Sequence, residues 1–123
     1  MPKTNRDPSV DAMLDLDGQV LVVDPGGGHW VKFAVRHVEP SRERPHGLTY
    51  SLTLHNAAGV WLVGFDNAHP VRESRRPGGK SRGPYDHKHR LGAVRPYRYR
   101  DAGTLLEDFW SEVDSFLKEK GVL

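Results

Sequence analysis

The stretch GPYDHKHR, residues 83–90, places Asp86, His87 and His89 within four positions, among basic side chains. Histidine titrates near neutral pH. One imidazole can therefore take a proton from a ribose 2′-hydroxyl while another donates to the leaving 5′-oxygen. In that reading His87 and His89 transfer protons, and Asp86 orients a neighbouring histidine and sets its tautomer. Arg90, Lys88 or Arg36 then neutralises the charge that builds on a scissile phosphate. Two histidines at i and i+2 on a strand also share a face, the geometry in which two imidazoles share an ion. Asp66, Asn67 and His69, in GFDNAH, lie at the end of the preceding strand. If the chain closes back, Asp66, His69, His87 and His89 could hold a transition metal. The bland alternative is a solvated charged loop, with Asp66 capping a strand end. The residues alone leave these readings open. The proton-transfer reading requires no metal and no cofactor.

The surroundings are basic. Residues 72–90 carry seven basic side chains against two acidic ones, a net +5, which leaves −3 for the rest of a chain whose total is +2. A basic loop on a mildly acidic body suggests an anionic partner, nucleic acid first. Arg75, Arg76, Lys80 and Arg82 are the phosphate-contact candidates, and such contacts make binding salt-sensitive. Tyr85, Tyr97 and Tyr99 are interleaved with arginines, which permits stacking on unpaired bases. The glycines of PGGG (25–28) are not followed by a helix pattern or a GK[ST] signature, so they read as a hairpin turn.

Length and composition bound the rest. A chain of 123 residues fits one domain. Its mean hydropathy of −0.63 marks a soluble protein. No apolar run is long enough to span a membrane. The polar, acidic N-terminus lacks a signal-peptide layout. With no cysteine, disulfides and thiolate metal sites are excluded, and a cytoplasmic address is expected.

The elements that must position the candidates follow from periodicity. Residues 1–17 read as a flexible tail, with a short turn near Met13 and Leu14; residues 18–123 read as a single α+β domain. QVLVVD (19–24) is β-rich. In 29–39, Val31, Phe33, Val35 and His37 share one face. In 47–56, Leu48, Tyr50, Leu52 and Leu54 point one way, and Thr49, Ser51, Thr53 and His55 the other. In 60–67, Trp61, Val63 and Phe65 alternate with Leu62, Gly64 and Asp66. Short connections favour an antiparallel meander. The basic loop at about 69–85 is too rich in Gly, Pro and charge to pack. YDHKHRL reads as a short extended piece and PYRYR (96–100) as an edge strand. The last segment is an amphipathic helix with Leu105, Leu106, Phe109, Trp110, Val113, Phe116 and Leu117 on one stripe. The expected fold is a twisted antiparallel sheet of four or five strands with this helix on one face.

RPHGLTYSLTL, VGFDNAH, YDHKHR and PYRYRDAGTLLEDFWSEVD form an ordered series. This series resembles the TumE family of toxin–antitoxin-associated proteins, a domain of unknown function, from about Trp30 to Phe116. In that family a Gly-aromatic-Asp-Asn stretch precedes a basic Asp-His-basic-His motif, and an aromatic, acidic helix follows. This sequence departs from the pattern in its insert VRESRRPGGKSRGP. The resemblance implies a bacterial toxin with a helix-turn-helix antitoxin as partner. It implies as site residues Asp66, Asn67, His69, Asp86, His87, His89 and Arg90, with His46 and Tyr50 second. The expected function is an RNA-directed toxin, an endoribonuclease with histidine acid–base catalysis and a possible homodimer. A non-catalytic module that binds nucleic acid or antitoxin is the alternative. Metal-dependent phosphoryl or nucleotidyl chemistry is the third.

Overall fold

The computed structural model describes residues 7–67 and 86–123. Six antiparallel strands follow in chain order: β1 (Val20–Val22), β2 (His29–His37), β3 (Leu48–Asn56), β4 (Trp61–Asp66), β5 (His87–Arg90) and β6 (Ala93–Pro96). Each strand pairs with the next, as short connections favour. The fold is α+β as expected, with six strands rather than four or five. The last strand is Ala93–Pro96, not 96–100. It is set by a two-residue turn in which Leu91 and Gly92 both have positive φ, 49° and 86°. That is the hairpin turn whose twist suits flanking strands. Leucine is an uncommon residue there, so RLGA carries a weak turn signal.

Alternation sorts the sheet into two faces. Val31, Phe33 and Val35 on β2, Tyr50, Leu52 and Leu54 on β3, and Val63 and Phe65 on β4 form the core face. Helix α2 (Ala102–Glu119) covers it with Leu105, Phe109, Val113, Phe116 and Leu117. Phe109 meets Phe33 and Phe65 edge-on, at centroid distances of 5.9 and 6.1 Å. Burying each such side chain stabilises by roughly 1.5–3 kcal/mol before entropy.

The start of α2 is built from two places. Asp101 is the cap, accepting from Thr104 N–H at 2.6 Å. Ala102 N–H donates to Asp7 Oδ2 at 2.7 Å and Gly103 N–H to Ser9 Oγ at 2.8 Å. Asp7 and Ser9 begin a segment that continues as a short helix, α1 (Ser9–Leu14), with Val10 and Met13 buried in the core. Most of this part of the expected tail is therefore packed. The alternating apolar and acidic residues of SVDAML are too few to show a helical period, so the segment resisted recognition.

Both helices lie on the core face. The opposite face carries Lys32, Ala34 and Arg36 from β2, Thr49, Ser51 and Thr53 from β3, Gly64 and Asp66 from β4, and His87 and His89 from β5. No described helix covers it. Among the described residues, no helix is long and apolar enough to cross a membrane.

Candidate functional site

The site grows from the register of β4 and β5. Asp66 stands opposite His87, and Gly64 opposite His89. A period of two puts both imidazoles on the open face and sends Lys88 and Arg90 to the other. His87 Nε2 lies 2.9 Å from Asp66 Oδ1, and His89 Nε2 lies 3.4 Å from Asp66 Oδ2. The two rings meet edge to face at 4.6 Å. Asp66 is 5% exposed and His87 4%. Distance and direction disagree at this carboxylate. The oxygens are within hydrogen-bond reach of the rings, yet Asp66 Oδ1 and His89 Nε2 have no hydrogen-bond partner among the described residues. The direction decides, because hydrogen bonds weaken steeply when misaligned. Burial pushes the His89 imidazole below its ordinary value; the Asp66 charge opposes this and the neighbouring His87 adds to it. The neutral ring is favoured.

Trp61 covers the site and was assigned to the wrong face by simple alternation. A register shift between Leu54 and His55 pairs Leu54 with Val63 but His55 with Trp61, which turns Trp61 onto the open face. Its ring sits 4.3 Å from His89 and lies across Gly64. A Cβ at residue 64 would come within 2.5 Å of the indole nitrogen. A glycine inside a strand is the signal that could have revealed this close approach. Beyond it, Trp30 stacks on His55 at 4.2 Å with planes 15° apart. Trp30, His55, Trp61 and His89 thus stand in neighbouring strands across one end of the face. Lys32 and Arg36 are exposed on the same face, with Arg36 two strands across and two residues along from Asp66, about 12 Å by strand geometry.

Asp86 does orient a histidine, but the partner is His46. His46 Nδ1 accepts from Leu48 N–H at 3.3 Å, so Nε2 carries the proton and donates to Asp86 Oδ2 at 3.0 Å. Tyr50 O–H donates to the same oxygen at 2.6 Å. Burial first, then the Asp86 charge, pushes the Tyr50 hydroxyl far above its usual range, so it remains a donor. Tyr99 packs on His46 at 3.9 Å. This second cluster belongs to the core side of the sheet. Asp66, and not Asp86, stands beside His87 and His89, because DHKH puts residues 86 and 87 on opposite faces.

Other candidates sit elsewhere. Asn67 is fully buried; its amide donates to Leu48 C=O at 2.7 Å and accepts from Tyr50 N–H at 2.8 Å. It extends the β3 ladder and presents nothing to a ligand. Lys88 and Arg90 face α2, where Lys88 lies 3.8 Å from Glu112 and Arg90 pairs with Glu112 and Glu119. A shallow cleft of about 340 Å³ opens on that side, lined by these residues and Arg95 among others. Two of its cations, Lys88 and Arg90, already have carboxylate partners. His69, Arg75, Arg76, Lys80, Arg82 and Tyr85, with the whole basic loop at 69–85, lie outside the described residues.

No match was found among curated proteins, nor among solved structures. A family model described as Toxin TumE matches residues 26–117. That span holds every strand of the sheet except β1, both histidine clusters and nearly all of α2. The chain belongs to the Toxin TumE family.

Proposed function

We propose that this toxin acts on RNA as an endoribonuclease, with the open sheet face as its active surface. The observation that carries the reading is the largely buried Asp66–His87–His89 cluster, in which Asp66 Oδ1 and His89 Nε2 have no hydrogen bond among the described residues. Buried polar groups are normally paired, and exceptions call for a reason such as catalysis or an absent ligand. Exposed Lys32 and Arg36 supply phosphate attraction beside it, and the Trp30–His55 stack offers an aromatic surface for unpaired bases. Both Nε2 atoms converge on one carboxylate rather than diverging to flank a substrate. This weighs against separate acid and base roles for His87 and His89 and toward their acting together. A toxin family implies an antitoxin as partner; the reading takes it to be a helix-turn-helix protein encoded beside the toxin.

Induced expression tests this in cells. Wild type should arrest growth and leave cleaved RNA, and the His87→Ala, His89→Ala double variant should do neither at equal soluble protein. Equal arrest by both would move the chemistry off these histidines and favour a binding module.

A further inference from the structure

We propose that Asp66, His87 and His89 bind one divalent transition-metal ion. The inference deepens the reading of this face as the active surface and rests on that reading for its biological meaning.

The three candidate ligand atoms lie within 4.8 Å of one another. Two ligands of a tetrahedral ion, each about 2.0–2.1 Å from it, stand about 3.4 Å apart. The Asp66 oxygens approach the two Nε2 atoms at 2.9 and 3.4 Å, close to that separation. Asp66 Oδ1 and His89 Nε2 have no hydrogen bond among the described residues although the distances are right, as expected of atoms aimed at a common third point. Asp66 is more than nine-tenths buried, and its Oδ1 lacks a hydrogen bond among the described residues. Leaving such an oxygen unsatisfied costs more than a neutral group would, because a carboxylate is charged.

The second carboxylate–histidine cluster provides the contrast. Asp86 Oδ2 receives Tyr50 O–H and His46 Nε2, and His46 Nδ1 receives a backbone N–H. That cluster is complete without an ion; the Asp66 cluster is not.

The donor set points to the class of ion. Two imidazoles and one carboxylate suit zinc, manganese, iron or cobalt better than magnesium or calcium, which take oxygen ligands. Three protein ligands leave a position for water or a phosphate oxygen. The Trp61 ring beside His89 limits access from that side.

The test uses full-length protein stripped with chelator and dialysed, with Zn²⁺ and Co²⁺ as probes and no RNA present. Titration calorimetry should give one ion per chain. Zn²⁺ should raise the midpoint of thermal unfolding, and Co²⁺ should give visible absorption bands. Asp66→Asn and His89→Gln should each weaken binding roughly tenfold or more. His37→Ala, which removes an exposed histidine of β2, should leave binding unchanged. Circular dichroism confirms folding, and wild-type binding alone decides if a variant fails to fold. Absence of saturable binding to wild type, or equal affinity in folded variants of Asp66 or His89, overturns the proposal. RNA cleavage measured in parallel keeps the two readings apart. Cleavage that persists in chelator without ion binding removes the ion and keeps the ribonuclease. Ion binding without cleavage does the reverse.

Discussion

At the scale of single residues, two aspartates carry opposite burdens. Asp86 holds a tyrosine and a histidine, and every contact has hydrogen-bond geometry. Asp66 faces two histidines and keeps an unpaired oxygen. The first arrangement closes on itself, and the second is the proposed reactive site. Replacing Asp86 by Ala should leave the buried Tyr50 hydroxyl and the His46 Nε2 proton without an acceptor, at about 1–3 kcal/mol each. The midpoint of urea unfolding should fall, with an unchanged slope; Asp86→Asn, which keeps an acceptor oxygen, should lose less. A midpoint equal to wild type in Asp86→Ala would show that this cluster does not hold the fold. The sequence displayed DHKH openly, and the shared face of His87 and His89 followed from period two. It could not display that Asp86 pairs with His46, forty residues away, because only tertiary packing brings them together. Gly64 was visible, but its meaning depended on where Trp61 turned.

At the scale of elements, the long strands and the last helix were legible because burial imposes a clear period. The apolar faces of β2, β3 and α2 emerged with the residues that pattern predicts. Short elements were less legible. The register shift beside Trp61 inverted one aromatic residue, and a hairpin turn at Leu91 concealed where β6 runs. The segment from Asp7 through α1 was hidden because its stabilising partner, the start of α2, is 94 to 95 residues away. That contact has a pH signature. Burial raises the Asp7 carboxyl, but the Ser9 hydroxyl and the Ala102 and Ser9 N–H groups outweigh it and hold it below its ordinary 3.8. A depressed folded value means stability that is present above the unfolded value and lost as pH falls through the folded one. Asp7→Ala should therefore lower stability at pH 7. The gap to wild type should close as pH falls below about 4. Thermal unfolding of both proteins from pH 7 to 3 checks this, and a gap independent of pH would count against the contact.

At the scale of the whole molecule, the sheet divides its labour between faces. One face meets two helices and makes the core. The other keeps its polar side chains, two exposed cations, an aromatic row and a carboxylate that its neighbours do not fully satisfy. Alternation along β5 assigns histidines to one task and cations to the other, so Lys88 and Arg90 anchor the strand to α2. With membership of a toxin family, this division fits the proposed reading of a stable scaffold that presents one reactive surface. The most direct measurement is cleavage of purified total RNA by purified full-length protein, beside the folded His87→Ala, His89→Ala variant. The account predicts fragments with wild type and intact RNA with the variant. Intact RNA with both, or equal fragmentation by both, would contradict it.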